Sequence, residues 1–459
     1  MPTHFDSIII GAGQAGPTLA GRLTQSGRSI AFIERKLFGG TCVNTGCTPT
    51  KSMVASAYVA QKARTAAAYG VTLQGQVSVD MKAVKARKDM IVAESRDGIE
   101  KYLRGMKNCT VFIGNAHFES PKEVRVGDEL LSANEIFLNV GGRAITPDFP
   151  GVADTPWMTN VGILDLDTLP RHLVVVGGSY VGLEFAQIFR RFGCEVTVIE
   201  KSPRLVHRED EDVSASIKSF LEKEGIIVRL NAECIHLDSQ ADNIAVGVNC
   251  PDDGTDSIGS HVLLAVGREP NTDDLGLEKA GIAQDSRGFI TVDDQLSTNV
   301  PGIWALGDCN GRGAFTHTAY NDYEIVAANL LDNDPRRVSD RIPCYALYTD
   351  PPLGRVGLTE HEVRKTGKPA LIGTRPMTRV GRAVEKGETD GFMKVLVDAT
   401  TKQILGASIL GTGGDEAVHC IIDTMYAKAP YTNIQRAVHI HPTVSELLPT
   451  VFGDLKPLS

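Results

Sequence analysis

Residues Ser7–Leu23 read SIIIGAGQAGPTLAGRL, a pattern of apolar strand, glycine turn and helix start. Ser7 to Ile10 predicts a short buried strand. Gly11, Gly13 and Gly16 then fit G-x-G-x-x-G. In that pattern the first glycine makes the turn, the second lets backbone approach a pyrophosphate, and the third lets the helix pack on the strand. Pro17 falls in the first helical turn, where its missing N–H is tolerated. The following strand, SIAFIE, ends in Glu34, where an acid accepts a hydrogen bond from a ribose hydroxyl. The stretch predicts a dinucleotide-binding α/β unit.

The same order returns in HLVVVGGSYVGLEFAQIFRRFGCEVTVIE, from His172 to Glu200. Gly177, Ser179 and Gly182 take the turn positions, with serine in the middle, and Glu200 ends the second strand. Two such units predict two dinucleotides, one of them a flavin dinucleotide in the alternative. A duplicated fold without ligands is the competing reading, and the two acids at the same offset argue against it. Glu200 favours NADH, because a carboxylate accepts from a ribose 2′-hydroxyl and repels a 2′-phosphate. Lys201, Arg204 and Arg208 follow closely and keep NADPH as the alternative.

The rest of the composition narrows the class. A net charge of −9 leaves no basic footprint for nucleic acid or an anionic membrane. No apolar run reaches membrane-spanning length, and MPTHFDSIII has no basic leader, so a cytoplasmic protein is expected. Nine scattered cysteines do not form the even framework of a disulfide scaffold. Cys109, Cys194, Cys234, Cys250, Cys344 and Cys420 read as small apolar filler.

Between the two units, DMKAVKARKDMIVAESRDGIEKYLRGM has the spacing of a solvated helix, and EVRVGDELLSANEIFLNVGG that of short antiparallel strands. Pro147 and Pro150 mark a linker. LLAVGREPNT ends a strand at Gly267. IWAL places Asp308 just after a strand, where an acid can hold ribitol or ribose hydroxyls, with the helix TAYNDYEIVAANLL directed at the ligand. From Ile342 the texture is α+β, with a helix from Gly414 to Ala429. The expected class is α/β, with two Rossmann-like dinucleotide-binding domains and a C-terminal α+β domain. The boundaries expected are 1–147, 148–265, 266–340 and 341–459.

One stretch carries chemistry of another kind. GGTCVNTGCTPTK, Gly39 to Lys51, holds Cys42 and Cys47 just before a predicted helix, TPTKSMVASAYVAQKA. A helix N-terminus favours a thiolate, and Lys51 adds positive charge about one turn on. A C-x4-C half-site for a soft metal is the alternative, but no second C-x2-C or H-x3-H partner accompanies it.

GAGQAG, GGTCVNTGCTPTK, GGSYVGLEFA, ALGDC and HPTVSE, in this order over essentially the whole chain, resemble the pyridine nucleotide–disulfide oxidoreductases. These are the flavoproteins that include lipoamide dehydrogenase, glutathione reductase and mercuric reductase. The resemblance implies FAD in the first unit and its nicotinamide partner in the second. Cofactor-binding residues would be Gly11, Gly13, Gly16, Glu34, Gly40, Thr41, Asp308, Gly177, Ser179, Gly182, Glu200 and Gly267. Cys47 would be the thiol facing the flavin and Cys42 the thiol that attacks the acceptor, the two cycling through a disulfide. Lys51 would pair with Glu184 near the flavin, and Tyr180 would cover the flavin until nicotinamide arrives. His441, oriented by Glu446, would serve the partner subunit's cysteines as acid and base, making the C-terminal domain a dimerisation domain and the protein an obligate homodimer.

The implied acceptor is a small-molecule disulfide, a quinone or a metal ion. TDPPLGRVGLTE and HPTVSELLPT resemble mercuric reductase-like proteins. The chain has no cysteine after Cys420 and no N-terminal metal-binding domain, which weighs against efficient mercury reduction. Lipoamide dehydrogenase is a second reading, although Thr45, Thr48 and Thr50 make the cysteine segment unusually polar for it. Glutathione reductase would require a cationic site, and none is located. A slow-turnover redox- or metal-sensing flavoprotein and a plain NADH oxidase or transhydrogenase complete the alternatives.

Overall fold

The computed structural model describes residues 1–241, 243–249 and 256–458, with the side chains of Cys234 and Asn249 left aside. Cys250 therefore lies outside the described residues, as does the Cys234 side chain. The chain divides into two compact units. One comprises Met1–Ser52, Lys82–Thr146 and Val266–Arg341, and the other Met53–Met81, Pro147–Ala265 and Ile342–Ser459.

In the first unit a parallel sheet runs in the order Cys109–Ile113, Ile30–Glu34, Thr3–Ile10, Glu129–Leu138. Ile303–Ala305 also pairs in parallel with Glu129–Leu138, and Glu123–Val126 and Ala116–Ser120 continue the sheet antiparallel. Ile8, Ile9, Phe32 and Phe137 are fully buried, as expected for strands covered on both faces. The first strand is longer than the apolar run predicts. Thr3–Phe5 pair with Leu131–Ala133, with exposed and buried side chains beginning to alternate, so the polar stretch before Ser7 is strand too.

The second unit repeats the parallel arrangement in the order Ile227–Arg229, Glu195–Ile199, His172–Val176, His261–Leu264. An antiparallel ladder of Glu233–Gln240, Asn243–Asn249 and Ser257–Gly259 follows. The C-terminal part is a six-stranded antiparallel sheet, in the order Cys344–Leu347, Leu353–Gly357, Ile404–Leu410, Phe392–Asp398, Ala370–Pro376, Lys456–Pro457. Its core is built from residues such as Val356, Met393, Ile409, Ile421 and Phe452. The single helix expected from Gly414 to Ala429 is two, Gly414–Ala417 and His419–Tyr426, meeting at Val418.

The helix expected in DMKAVKARKDMIVAESRDGIEKYLRGM is present over Met81–Gly105. Among the described residues no helix is long and apolar enough to cross a membrane.

Candidate active site

The two glycine turns have the same construction. Gly11 has φ +103°, and a Cβ there would lie 2.3 Å from the Asn139 carbonyl oxygen. Gly177 has φ +117°, and its Cβ would lie 2.4 Å from the Ala265 carbonyl oxygen. Only glycine fits either position. Each third glycine packs its helix on its own turn: a Cβ at Gly16 or Gly182 would come within 2.4 or 2.1 Å of the carbonyl oxygen of the first glycine. The middle positions differ for a local reason. A Cβ at Gly13 would meet the Asn139 side chain at 3.0 Å, whereas Ala265 occupies the corresponding place in the second unit and leaves room for Ser179.

The acids that end the second strands have matching partners. Glu34 accepts from the Ala12 and Lys36 N–H groups, both at 2.8 Å. Glu200 accepts from Gly178 N–H at 2.6 Å and Ser202 N–H at 2.7 Å. Each carboxylate therefore braces its glycine turn and keeps lone pairs for ribose hydroxyls. Neither helix that follows, Gly16–Gln25 or Tyr180–Phe192, has a side-chain cap at its N-terminus. Turns closed to any side chain, an acid beside each, and uncapped helix N-termini fit two dinucleotides.

The cysteine segment is fastened to the first turn. The Gly39 N–H donates to the Ala12 carbonyl at 2.9 Å, Gln14 donates to the Gly39 carbonyl at 3.1 Å, and a Cβ at Gly40 would lie 2.9 Å from the Gly13 Cα. The segment is not a plain loop: Gly40–Thr45 forms a short helix containing Thr41 and Cys42. After Gly46 a second helix, Cys47–Thr65, begins on Cys47 itself. Cys47 is exposed and Cys42 is half-buried, and both are thiols.

Their protons are unequally held. A hydrogen bond from Cys42 pulls Cys47 down to about 6 against the cost of burial, and the Thr316 hydroxyl and the Lys51 charge act in the same direction. The same hydrogen bond, followed by burial, pushes Cys42 up. One thiol is thus a proton donor and the other a nascent thiolate.

Asp308 lies in the turn Gly307–Asn310 after the strand Ile303–Ala305. Arg268 approaches it at 3.4 Å and donates to the Gly142 carbonyl at 2.6 Å, and Thr41 reaches that carbonyl at 3.4 Å. Burial pushes the Asp308 carboxyl up while Arg268 acts against it. Gly267, with φ +144°, accepts from Ile145 N–H at 3.1 Å just before Arg268. The first unit therefore brings together Gly11, Gly13, Gly16, Glu34, Gly40 and Cys42–Lys51 at one end of its sheet, and Thr41 and Asp308 around Arg268 and Gly142.

The remaining predicted residues lie in the second unit. Tyr180 opens the helix Tyr180–Phe192, and Glu184, buried in that helix, accepts from the Tyr348 N–H at 3.0 Å. His441 and Glu446 form a hydrogen-bonded pair. Val438 and Ile440, just before His441 in the chain, are fully or largely exposed.

Three residues of the site were not anticipated from the sequence. Thr316 contacts Cys47 at 3.2 Å. Asp322, buried, accepts from Gly307 N–H at 2.8 Å and Asn310 Nδ2 at 2.9 Å, and pairs with Arg341. Asn139 donates to the Gly11 carbonyl at 3.3 Å. Among the described residues no group of three or more His, Cys, Asp or Glu could hold a metal ion.

Residues 5–322 match the family model "Pyridine nucleotide-disulphide oxidoreductase", and residues 344–452 match that family's dimerisation domain. The chain is 34% identical over 461 residues to the probable pyridine nucleotide-disulfide oxidoreductase RclA of Escherichia coli, covering 98% of this chain and 99% of the relative. It is 33% identical over 451 residues to the dihydrolipoyl dehydrogenase of Chlamydia pneumoniae, covering 97% and 96%. Among solved structures, the HOCl-induced flavoprotein disulfide reductase RclA from Escherichia coli superimposes with a TM-score of 0.89 at 33% identity, over 98% of this chain and 99% of that one. A Cu(II) complex of that protein gives a TM-score of 0.90, also at 33% identity, over 99% of each chain.

Proposed function

The chain belongs to the pyridine nucleotide–disulphide oxidoreductases, and from that premise we propose that it reduces a small disulfide with electrons from NADH, through Cys42 and Cys47, as a homodimer. The observation that carries the residue assignment is geometric: Cys47 opens the helix Cys47–Thr65 with the Thr316 hydroxyl 3.2 Å from its sulfur, and Cys42 lies in the short helix just before it.

FAD, when bound, accepts a hydride from the nicotinamide and hands on an electron pair. Gly11, Gly13, Gly16 and Glu34 would hold its adenosine and pyrophosphate end, with Thr41 and Asp308 toward the ribitol. Gly177, Ser179, Gly182 and Glu200 would hold the nicotinamide dinucleotide, with Tyr180 and Glu184 toward its reactive end. NADH and a proton enter with an acceptor disulfide, and NAD+ and two thiols leave.

Cys42 gives its proton to His441 of the other subunit, attacks the acceptor as a thiolate and forms a mixed disulfide while one acceptor thiolate departs. Cys47 then attacks the Cys42 sulfur, closing the Cys42–Cys47 disulfide and releasing the second thiolate. Lys51 and the helix N-terminus keep Cys47 charged for that attack. His441 of the other subunit protonates the departing thiolate, with Glu446 holding the ring. The dimerisation-domain match and the exposed Val438 and Ile440 just before His441 support a site completed by a second chain.

A metal ion is the second reading for the acceptor, favoured by the Cu(II) complex of the similar protein. Steady-state NADH oxidation against small disulfides, quinones, Cu(II) and Hg(II) separates the two. Turnover that survives Cys42→Ser together with Cys47→Ser for every acceptor would exclude the thiol route.

A further inference from the structure

Thr316 opens the helix Thr316–Ala327 and stands 269 positions along the chain from Cys47, yet its Oγ1 lies 3.2 Å from the Cys47 sulfur. Both residues belong to the same compact unit. A thiolate only accepts, so against a charged Cys47 the threonine hydroxyl is the donor. The hydroxyl is held in place from two directions. Threonine is β-branched and has few side-chain rotamers. The first turn of its helix is pinned by Thr318, whose hydroxyl accepts from the Phe315 N–H at 3.1 Å and donates to the Phe315 carbonyl at 2.8 Å.

The contact matters most at one stage of the cycle. The strongest influence holding Cys47 as a thiolate is the hydrogen bond from Cys42. That donor disappears when Cys42 enters a mixed disulfide with the acceptor, which is the moment Cys47 must be charged to attack. Of the side chains that hold Cys47 down, Thr316 and Lys51 remain, and Thr316 is the one in direct hydrogen-bond contact.

We propose that Thr316 is the positioning residue for the resolving step: its hydroxyl donates to the Cys47 sulfur while Cys42 is bonded to the acceptor, and keeps Cys47 ready to displace the second acceptor thiolate. The bond formed is Cys42–Cys47 and the bond broken is Cys42–acceptor. The electron pair leaves with the acceptor thiolate, which takes its proton from His441. The inference rests on the disulfide-reductase reading above.

The test uses the FAD-loaded protein, reduced with one equivalent of NADH and mixed in stopped flow with dithiobis(nitrobenzoate), a disulfide whose two released thiolates are coloured. Wild type releases the first thiolate on attack by Cys42 and the second on resolution by Cys47. In Thr316→Val, which keeps the shape and loses the hydroxyl, the first phase slows less than the second, since Thr316 also bears on Cys42. The second slows about tenfold below its pH midpoint, and that midpoint rises by about one unit. Thr316→Ser restores both. Thr316→Ala serves as a second hydroxyl-free variant should the valine side chain disturb folding. A second phase and pH profile unchanged in the valine and alanine variants would overturn the proposal, and so would a serine variant as slow as valine, since packing alone would then explain the defect. Release of no thiolate by wild type would bring down the disulfide-reductase reading, and the role of Thr316 with it.

Discussion

His441 turns its Nδ1 toward Glu446, 2.8 Å from one carboxylate oxygen and 3.1 Å from the other. A carboxylate only accepts, so Nδ1 carries a proton and donates, and Nε2 is the nitrogen left for chemistry. The imidazole is 78% exposed and the glutamate 15%, so the orienting group is mostly covered and the working ring faces outward. Such a pair is expected to act on a site that another surface brings to it. Mixed dimers test this. A subunit carrying His441→Ala and a subunit carrying Cys42→Ser with Cys47→Ser are each expected to be inactive as homodimers. Co-expressed, they form a heterodimer with one intact cysteine pair served by one intact histidine, and about half the turnover per dimer returns. A heterodimer as inactive as its parents would show that histidine and cysteines work within one chain. Glu446→Gln, which keeps the size and loses the charge, lowers turnover by about ten- to a hundredfold.

Asp322 is predicted to be the residue whose loss most damages FAD retention without touching the cofactor. It is 1% exposed, it ties down the Gly307 N–H and the Asn310 amide, and it pairs with Arg341. Removing one partner of a buried ion pair strands the other, at a cost of about 3–5 kcal/mol. Asp322→Ala should lower the urea midpoint and purify largely colourless, because the turn that carries Asp308 loses its brace. Arg341→Met should behave alike, with the smaller defect of a side chain that is 10% exposed. A fully yellow Asp322→Ala protein of wild-type stability would refute the assignment.

These residues also mark what was legible in the sequence. Gly11, Gly13, Gly16 and Glu34 could be read directly because a turn and its acid are separated by a single strand and helix, and local spacing defines them. The short interval between Cys42 and Cys47, just before a helix, was legible for the same reason. Thr316, Asp322 and Asn139 were not, because each acts through a partner fixed only by tertiary folding. A threonine at the start of a helix and an aspartate within one carry no signal of their own. Ser179 has room in the middle of the second turn because Ala265 stands where the first unit has Asn139, and that too is set only by tertiary folding. The helix Gly40–Thr45 was hidden because TCVNT, flanked by glycines, has no helical propensity to announce it. The break at Val418 was equally silent, since no glycine or proline marks it.

Glu200 is expected to decide between NADH and NADPH. Its carboxylate accepts from Gly178 and Ser202 N–H and so stands at the second turn with a fixed negative charge. The cations that follow are not all free to offset it, since Arg204 donates to Glu211 at 3.2 Å and to the His207 carbonyl at 3.1 Å. Glu200→Gln removes the charge and keeps the shape. The ratio of kcat/KM for NADH over NADPH should fall about tenfold, a difference of about 1.4 kcal/mol. Glu34→Gln, at the matching place in the first unit, should leave that ratio unchanged and weaken FAD binding instead. An unchanged ratio in Glu200→Gln would place nicotinamide discrimination elsewhere.

The low Cys47 has a consequence for stability as well as reactivity. Its folded-state value is depressed to about 6 from the ordinary 9.0, first by the Cys42 hydrogen bond and then, against burial, by Thr316 and Lys51. Between those values the unfolded chain holds the Cys47 proton and the folded chain has released it. The unfolded state therefore binds more protons, and the stability of the reduced protein rises with pH across that window. The contribution is complete above about 9 and is lost as pH falls through about 6. Cys42 is shifted upward and remains a thiol over the same range, so it opposes the trend only at higher pH. Thermal midpoints of the reduced, FAD-loaded protein, taken at intervals from pH 6 to 9 and referred to Cys47→Ser at each pH, should show the wild-type advantage growing upward. Closing the Cys42–Cys47 disulfide removes the titrating thiol, so the oxidised protein should lose this slope. A difference that stays flat with pH in the reduced protein would mean that Cys47 is not held as a thiolate, and the unequal pair could not then drive the resolving step.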